Sequence, residues 1–309
     1  MTAEILKERQ GWTLDQKIDH SLGVIDQYYS KYNGNVYLAF SGGKDSTVLM
    51  HLCEYIYKDI PCVFVNTGCE YPDIVKFVNE CKTEGHNIVM LHPKMHAREV
   101  WSKYGFPLGS KEIAENVAAI RRNPESIKAR KALGQLGQHS MFVLKKKWHF
   151  LINEKFDTSN KCCQILKKNP SEQFAKETGR MPIDGVMASE SLLREKTYIR
   201  NGACNVFGDK PKSRPLSIWT DEDIWAYIDR YHIKIADIYG KGVKRTGCVA
   251  CGFGCQFKYD HRFEILHDLY PKYYNMVLKF ENNGISYRTA LRKVLAINDK
   301  LLPDESLFL

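Results

Sequence analysis

Two groups of residues in this chain could support chemistry, and each has a spacing typical of one kind of site. Cys162 and Cys163 are adjacent, and Cys248 and Cys251 enclose two residues. Thiolates bind iron and zinc well, and a four-iron cluster generally takes four of them. The second group is Ser41-Gly-Gly-Lys-Asp-Ser46, whose glycines and lysine favour an anionic ligand. The chain therefore combines a predicted metal site with a predicted phosphate site.

The phosphate site is predicted from the elements on either side of the glycine-rich loop. Residues 35–40 predict a strand and residues 47–57 a helix, so the loop joins the two. Backbone N–H groups in such a loop, and at a helix N-terminus, favour phosphate oxygens. We expect Lys44 to neutralise phosphate charge and Asp45 to help hold Mg²⁺. The residues predicted to hold the triphosphate are Ser41, Gly42, Gly43, Lys44, Asp45 and Ser46.

The spacing of this loop also excludes a common alternative. It does not follow the Gly-x-x-x-x-Gly-Lys-Ser/Thr pattern, so an ordinary P-loop kinase or GTPase is disfavoured. Further elements alternate along the chain, which is typical of a parallel sheet covered by helices on both faces. They are predicted strands at 61–65, 87–91, 181–188 and 215–219, and predicted helices at 72–83 and 221–229, the latter capped by Thr220.

The domain organisation follows from this alternation. We expect a helical lead-in over residues 1–34 and one α/β domain over residues 35–255, which includes the cysteine segments. A basic helical insertion is predicted at about 94–169, and a helical C-terminal region at 256–309. No internal repeat or low-complexity linker divides the sequence further.

Composition limits the class of protein. The 309 residues are 44% hydrophobic with a net charge of +9, and the charge favours a nucleotide and a nucleic acid equally. The charged start predicts no signal peptide, and no apolar run is long enough for a membrane span. We therefore expect a cytoplasmic protein, in which ten cysteines are thiols or metal ligands rather than disulfides.

The loop at Ser41–Ser46 resembles the PP-loop of the adenine nucleotide α-hydrolase-like superfamily, a doubly wound, HUP-like fold. Two later segments, Gly185–Arg194 and Arg214–Trp225, are similar to elements of the phosphoadenylylsulfate (PAPS, or sulfonucleotide) reductase family. The resemblance spans roughly residues 35–255. It implies a mainly parallel α/β sheet and cleavage of ATP between its α- and β-phosphates, which leaves an adenylylated acceptor.

The same resemblance assigns further site residues. The segment with Thr67 and Gly68 is similar to the Asp-Thr-Gly segment of the family, with Asn66 in place of the aspartate, and implies nucleotide contact. Glu190 and Arg194 would orient phosphate and Mg²⁺. The adjacent cysteines followed by Cys-x-x-Cys match reductases that carry a 4Fe-4S cluster, which gives the ligands Cys162, Cys163, Cys248 and Cys251.

Alternatives remain open at the cysteine site. Zn²⁺ also accepts four cysteines, and buried thiols without metal are a third interpretation. Cys255 is a fifth candidate: a spare thiol that carries sulfur in catalysis, a ligand in place of Cys162 or Cys163, or a core residue beside Phe253 and Phe257.

Two departures from the reductases bear on function. Sulfonucleotide reductases attack sulfate with a cysteine in a C-terminal segment, whereas no cysteine follows Cys255 here, and Met187 stands where the family has arginine. The full PP-loop favours ATP with an intact triphosphate. Relatives with this loop and a cluster include the sulfur-inserting proteins of DNA phosphorothioation and tRNA thiolases. We expect an ATP-dependent, adenylylating iron–sulfur sulfurtransferase that acts on nucleic acid.

Two rival functions are retained. One is a PAPS or adenylylsulfate reductase that uses Cys255 or a partner's thiol, and the other is a non-catalytic ATP- and nucleic-acid-binding subunit of a modification or defence complex. A sulfurtransferase needs a sulfur donor, such as a cysteine desulfurase, and it could be oligomeric.

The basic insertion is the predicted nucleic-acid contact, with Trp148 and His149 available for base stacking. A solvated helical face, or cations that guide ATP or an acidic protein, would explain the same charges. The basic residues are Arg121, Arg122, Lys128, Arg130, Lys131, Lys145, Lys146 and Lys147.

Overall fold

A computed structural model of the chain describes residues 2–137 and 143–304. The middle of the predicted basic insertion and the end of the predicted C-terminal region, at 138–142 and 305–309, lie outside the described residues. The contacts divide the chain into two compact units. The first, the sheet unit, comprises residues 1–66, 71–92 and 170–246; the second, the cysteine unit, comprises residues 67–70, 93–169 and 247–309.

The strands of the described residues are short. They are β1 (Val36–Phe40), β2 (Cys62–Val65), β3 (Ile88–Leu91), β4 (Leu108–Gly109), β5 (Met181–Ile183), β6 (Asn205–Val206), β7 (Lys212–Ser213), β8 (Gly252–Phe253), β9 (Glu281–Asn282) and β10 (Ile285–Ser286).

The α-helices occupy both units. They are α1 (Ala3–Gln10), α2 (Leu14–Lys31), α3 (Lys44–Ile56), α4 (Pro72–Thr83), α5 (Ala97–Tyr104), α6 (Lys111–Arg122), α7 (Ile127–Ala132), α8 (Phe150–Asn153), α9 (Asn169–Thr178), α10 (Leu192–Asn201), α11 (Asp221–Tyr231), α12 (Arg262–Leu269), α13 (Pro271–Leu278) and α14 (Tyr287–Leu295).

The sheet unit is built on a mainly parallel sheet. Within the described residues its strand order is β3-β2-β1-β5-β7-β6, and the edge pair β6–β7 is antiparallel. β1 pairs in parallel with β2 on one side and with β5 on the other, so the strand order changes direction beside β1. This arrangement confirms the predicted fold class.

Two strand predictions are corrected. Of the strand predicted at 181–188, only Met181–Ile183 forms a strand. The strand predicted at 215–219 is wrong. Residues 215–219 form consecutive turns, in which the Ser217 amide donates to the Arg214 carbonyl and the Trp219 amide to the Leu216 carbonyl. Leu216 and Trp219 are nevertheless fully buried. An apolar run shows that a segment is buried, and it does not distinguish a strand from a buried turn.

Helices α2 and α11 pack against α3 in the sheet unit. Thr220 caps α11 as predicted, since its hydroxyl accepts the Asp223 amide. The buried Lys17 ammonium pairs with the same Asp223 carboxylate at 2.6 Å. Charge and capping thus fix the N-terminus of α11 in the core, and Asp221 begins the helix at a defined place.

The cysteine unit has an aromatic core. The Tyr287 ring lies 4.8 Å from the Trp101 ring and 4.9 Å from the Phe106 ring, centroid to centroid. The Tyr287 hydroxyl donates to the Ala250 carbonyl at 2.9 Å, so α14 supports the loop that carries the Cys-x-x-Cys segment. In the part of the chain that the structure describes, no helix has both the length and the apolar character to cross a membrane.

Candidate active site

The glycine-rich loop lies where a doubly wound sheet places ligands. β1 runs directly into Ser41–Gly43, and α3 begins at Lys44. The segment after β5, at 184–187, lines the same cavity. Because ligands of open α/β sheets bind at the carboxyl ends of strands where the order reverses, this is the expected place for a nucleotide.

The two loop glycines are required by close packing. Gly42 has φ +69°, and a Cβ there would lie 2.8 Å from the methyl carbons of Ile74 and Val78 on α4. A Cβ on Gly43 would lie 2.7 Å from Thr246 Oγ1. The glycines therefore allow the backbone of the loop to approach its neighbours closely.

Gly42→Ala is expected to destabilise the protein by about 3 kcal/mol, because it combines a left-handed backbone with overpacking against α4. Gly23→Ala is the matched control, since Gly23 lies at an exposed position in the middle of α2. No atom lies within 4 Å of the carbon that the substitution adds. That control is expected to stabilise by about 0.5–1 kcal/mol. Urea denaturation measures both, and equal midpoints for the two variants would contradict the steric argument.

Lys44 is the buried cation of the loop. Its side chain is 4% exposed, and its ammonium lies 2.7 Å from the Asp45 carboxylate and in an ion pair with Asp221. Burial acts to lower the pKa of Lys44, but the hydrogen bonds to Asp221 and Asp45 outweigh it and raise the pKa. Lys44 therefore stays protonated and can exchange carboxylate partners for phosphate oxygens.

Hydroxyl groups surround the start of α3. Ser41 Oγ and Ser46 Oγ lie 2.9 Å apart, and the Gly43 amide donates to Ser41 Oγ. The Lys44 amide donates to the Tyr239 hydroxyl at 2.8 Å. The Tyr239 hydroxyl oxygen therefore occupies a position at the helix N-terminus where an anion would bind, and a phosphate oxygen would replace it there.

The cavity around this loop has a volume of about 730 Å³. That size suits a nucleotide. The basic side chains that line it are Lys44, Arg194, Lys244 and Arg245. Lys244 and Arg245 were missed by sequence reasoning; their signal was the basic run just before Cys248.

Glu190 and Arg194 lie in this cavity, as the family resemblance implied, and they contact each other. The Glu190 carboxylate pairs with Arg194 and with Arg245, the latter at 2.5 Å. Asp45 likewise pairs with Lys44. Each of these carboxylates is thus engaged by a cation, and Mg²⁺ binding at Asp45 or Glu190 stays a prediction.

Thr67 and Gly68, which the resemblance assigned to the nucleotide, belong to the cysteine unit. The Thr67 amide and hydroxyl both donate to the Glu70 carboxylate at 2.9 Å. The Gly68 carbonyl accepts from the Tyr273 hydroxyl at 2.8 Å. These contacts order the loop at 67–70, and its role in nucleotide binding stays a prediction.

The four predicted ligands interact electrostatically with one another. The pKa of Cys162 is raised by its hydrogen bond to Cys163 first, then by burial and by the thiols of Cys251 and Cys248. The pKa of Cys163 is lowered, chiefly by the hydrogen bond from Cys162. Burial raises the pKa of Cys251 to about 11. The four thiols therefore influence one another electrostatically within the cysteine unit.

This group fits a thiolate-ligated metal in the number and chemistry of its donors. All ten cysteines are free thiols, so no disulfide consumes them. Among the described residues, however, no three His, Cys, Asp or Glu side chains are already arranged around a metal position. The cluster and its ligands therefore remain proposals.

Three features near these thiols were not predicted. Residues Cys163–Lys168 form a π-helix, a rare form that often marks functional sites. Lys167 pairs with Glu70 at 3.5 Å and interacts with the Cys248 thiol. The Cys69 carbonyl accepts the Val249 amide at 2.8 Å, which ties the loop at 67–70 to the Cys-x-x-Cys segment.

Cys255 is fully buried, and burial raises its pKa to about 12. A thiol in this setting is weakly nucleophilic because little thiolate forms near neutral pH. Lys300 donates to the Cys255 carbonyl at 3.2 Å, which holds the backbone rather than the sulfur. The role of Cys255 as a sulfur carrier stays a prediction.

The prediction that Trp148 stacks on bases is wrong, because its side chain is buried at 3% exposure, against Gly109. Some cations of the insertion also have internal partners: Arg121 pairs with Asp157 and Lys128 with Glu115. The other described cations of the predicted strip are exposed, and a nucleic-acid contact there stays a prediction.

Comparison with known proteins decides the family. The sequence profile described as phosphoadenosine phosphosulfate reductase domain matches residues 35–143 and 134–252, more than half of the chain. The chain belongs to this family. The predicted family is thereby confirmed, and with it a PP-loop α/β fold that takes adenine nucleotides.

Individual relatives in this family are distant. An uncharacterized protein of Methanocaldococcus jannaschii is 24% identical over 84% of this chain and 52% of its own length, so the chain spans about half of that relative. An adenosine 5'-phosphosulfate reductase of Geobacillus kaustophilus is 22% identical over 79% of this chain and 84% of the reductase. The solved phosphoadenylyl-sulfate (PAPS) reductase from Candida auris has a TM-score of 0.44 at 12% identity, over 80% of this chain and 96% of that one.

Proposed function

We propose that the chain is an ATP-dependent iron–sulfur sulfurtransferase that activates an oxygen of a nucleic acid as an adenylate. The observation that carries this proposal is the cavity at the carboxyl end of β1, where the strand order changes direction. There Ser41, residues 43–46 of the loop and four basic side chains line one space in a protein of this family.

In this proposal the triphosphate lies along the loop. The N-terminus of α3 and the Gly43 amide donate to phosphate oxygens, and Lys44 exchanges Asp45 and Asp221 for them. Arg194 and Arg245 stabilise the charge that develops on the departing pyrophosphate. All these groups line the cavity before the nucleotide binds, and phosphate oxygens would replace the carboxylate partners of their cations.

The reaction has two displacements. An acceptor oxygen attacks the α-phosphorus of ATP, the bond to the bridging oxygen breaks, and pyrophosphate leaves with the electron pair. Sulfur at the oxidation level of hydrosulfide then attacks the acceptor atom that carries the adenylate, and AMP leaves. A 4Fe-4S cluster held by Cys162, Cys163, Cys248 and Cys251 would supply such sulfur when loaded with hydrosulfide. A donor such as a cysteine desulfurase delivers persulfide sulfur, so two electrons from a thiol reductant would be needed to release it as hydrosulfide.

A product assay tests the proposal. We expect anaerobically purified protein to release pyrophosphate and AMP from ATP, in equal amounts, when single-stranded DNA or tRNA and hydrosulfide are present. Formation of ADP and phosphate would contradict it, since the α-phosphorus would not be the point of attack. Binding of ATP and nucleic acid without pyrophosphate release would support the non-catalytic subunit instead.

A reductase is the second candidate, because the Geobacillus kaustophilus relative carries that activity in its name over most of its length. Met187 lines the cavity and offers no cation to a sulfate group where the family has arginine. Sulfite released from adenylylsulfate or PAPS would favour the reductase. We expect none above background.

A further inference from the structure

A second cavity in the sheet unit has no role in the mechanism above. It has a volume of about 410 Å³ and lies between α10 and the hairpin of β6 and β7. No carboxylate lines it in the described part of the chain. The basic residues that do are Arg194, Arg200, Lys210, Lys212 and Arg214.

The positive charge of this cavity is only partly neutralised. Asp184, which lines the nucleotide cavity, lies 3.2 Å from Arg214 and 3.5 Å from Lys212. Arg200 and Lys210 are exposed and form no ion pair within residues 2–137 and 143–304. These two exposed cations therefore remain available to an incoming anion.

The second cavity adjoins the nucleotide cavity. Val186 and Arg194 line both of them. The pKa of Arg194 is lowered by burial first and then by the positive charges of Arg245 and Arg214. Arg245 lines the nucleotide cavity, and Arg214 lines the second cavity. A nucleotide in the larger cavity would engage its own cations, so the smaller one is left for a second anionic group.

We propose that this second cavity binds a phosphate group of the nucleic acid acceptor. Guanidinium groups suit phosphate because they donate two parallel hydrogen bonds. Leu192 and Leu193, which begin α10 just before Arg194, are 74% and 76% exposed and offer apolar contact to unstacked bases. The inference rests on the proposed function for the identity of the acceptor, and it replaces the basic insertion as the first place to look for that contact.

Neutralisation of the two free cations tests the inference. The variant is Arg200→Ala with Lys210→Ala, and the control is Lys58→Ala with Lys82→Ala. Lys58 follows α3 and precedes β2, and Lys82 lies near the end of α4 and precedes β3. Both control lysines therefore lie near the amino ends of the parallel strands, opposite to the end that carries the glycine-rich loop. The probes are a fluorescent single-stranded oligonucleotide, adenosine 3',5'-bisphosphate and ATP.

We expect the first variant to bind the oligonucleotide roughly tenfold to a hundredfold more weakly at low salt. The magnitude of the slope of log affinity against log salt should fall by about 1.4, which is about 0.7 for each lost phosphate contact on a single strand. ATP affinity should stay within about twofold, and the control should match the wild type throughout. Circular dichroism checks that both variants are folded.

Oligonucleotide binding that is unchanged in affinity and slope would overturn the inference. Loss of adenosine 3',5'-bisphosphate binding alone would also overturn it, because the cavity would then take a small phosphate monoester. A failure of the proposed function has a different signature: the wild type would bind the oligonucleotide through Arg200 and Lys210 yet release no pyrophosphate.

Discussion

Serine in place of any one of Cys162, Cys163, Cys248 or Cys251 is expected to abolish stable iron binding. A hydroxyl is a poor ligand for a cluster that takes four thiolates, and the loss of one donor exposes iron to solvent. The four thiols act on one another's pKa, and the proposed cluster needs all four as ligands. Iron and acid-labile sulfide per chain, together with visible absorption, measure the loss after anaerobic reconstitution.

Cys255→Ser and Cys69→Ser are the matched controls. Both thiols are buried in the cysteine unit, at 0% and 2% exposure, and both raise the same concern about folding as the predicted ligands. We expect them to retain close to wild-type iron. Equal loss of iron in Cys255→Ser and in the four others would show that Cys255 is a ligand.

Metal identity is decided by the same samples. Zinc in place of iron, bound at one ion per chain and lost in the four serine variants, would keep the ligands and remove the cluster. The sulfurtransferase proposal would then lose its source of sulfur. Iron that survives every single substitution would instead contradict the ligand assignment itself.

The nucleotide loop could be predicted because its signal is local. An apolar strand, a glycine pair and a helix follow one another within residues 35–57, and neighbouring residues determine all three. The strand predicted at 215–219 is wrong because the apolar side chains there reflect burial and not an extended backbone.

The rest of the site depends on contacts between distant segments. Asp221 meets Lys44 across 177 positions, and Tyr239 meets the Lys44 amide across 195. Nothing in the spacing of single residues predicts such pairs. The burial of Trp148 is a similar case, because a tryptophan within a basic run suits a stacking platform and a core equally.

Lys44→Met is expected to reduce pyrophosphate release by roughly 10²–10³-fold, because it removes a preorganised cation from the phosphate site. Folding should be retained, since the Asp45 and Asp221 side chains that it leaves behind are 33% and 61% exposed and can be hydrated. The measurements are turnover with saturating ATP and the urea midpoint.

Lys17→Met is the matched control for Lys44→Met, and we expect it to lower stability and not turnover. Lys17 is also a buried lysine of the sheet unit and pairs with Asp223, whose side chain is 16% exposed, but it does not line the nucleotide cavity. Its loss leaves the Asp223 carboxylate without its cationic partner, so we expect destabilisation by about 3 kcal/mol and near-normal turnover of the folded protein. If Lys44→Met instead lost stability and kept its rate, Lys44 would be a structural cation, and the phosphate-binding role of the loop would have to rest on backbone N–H groups alone.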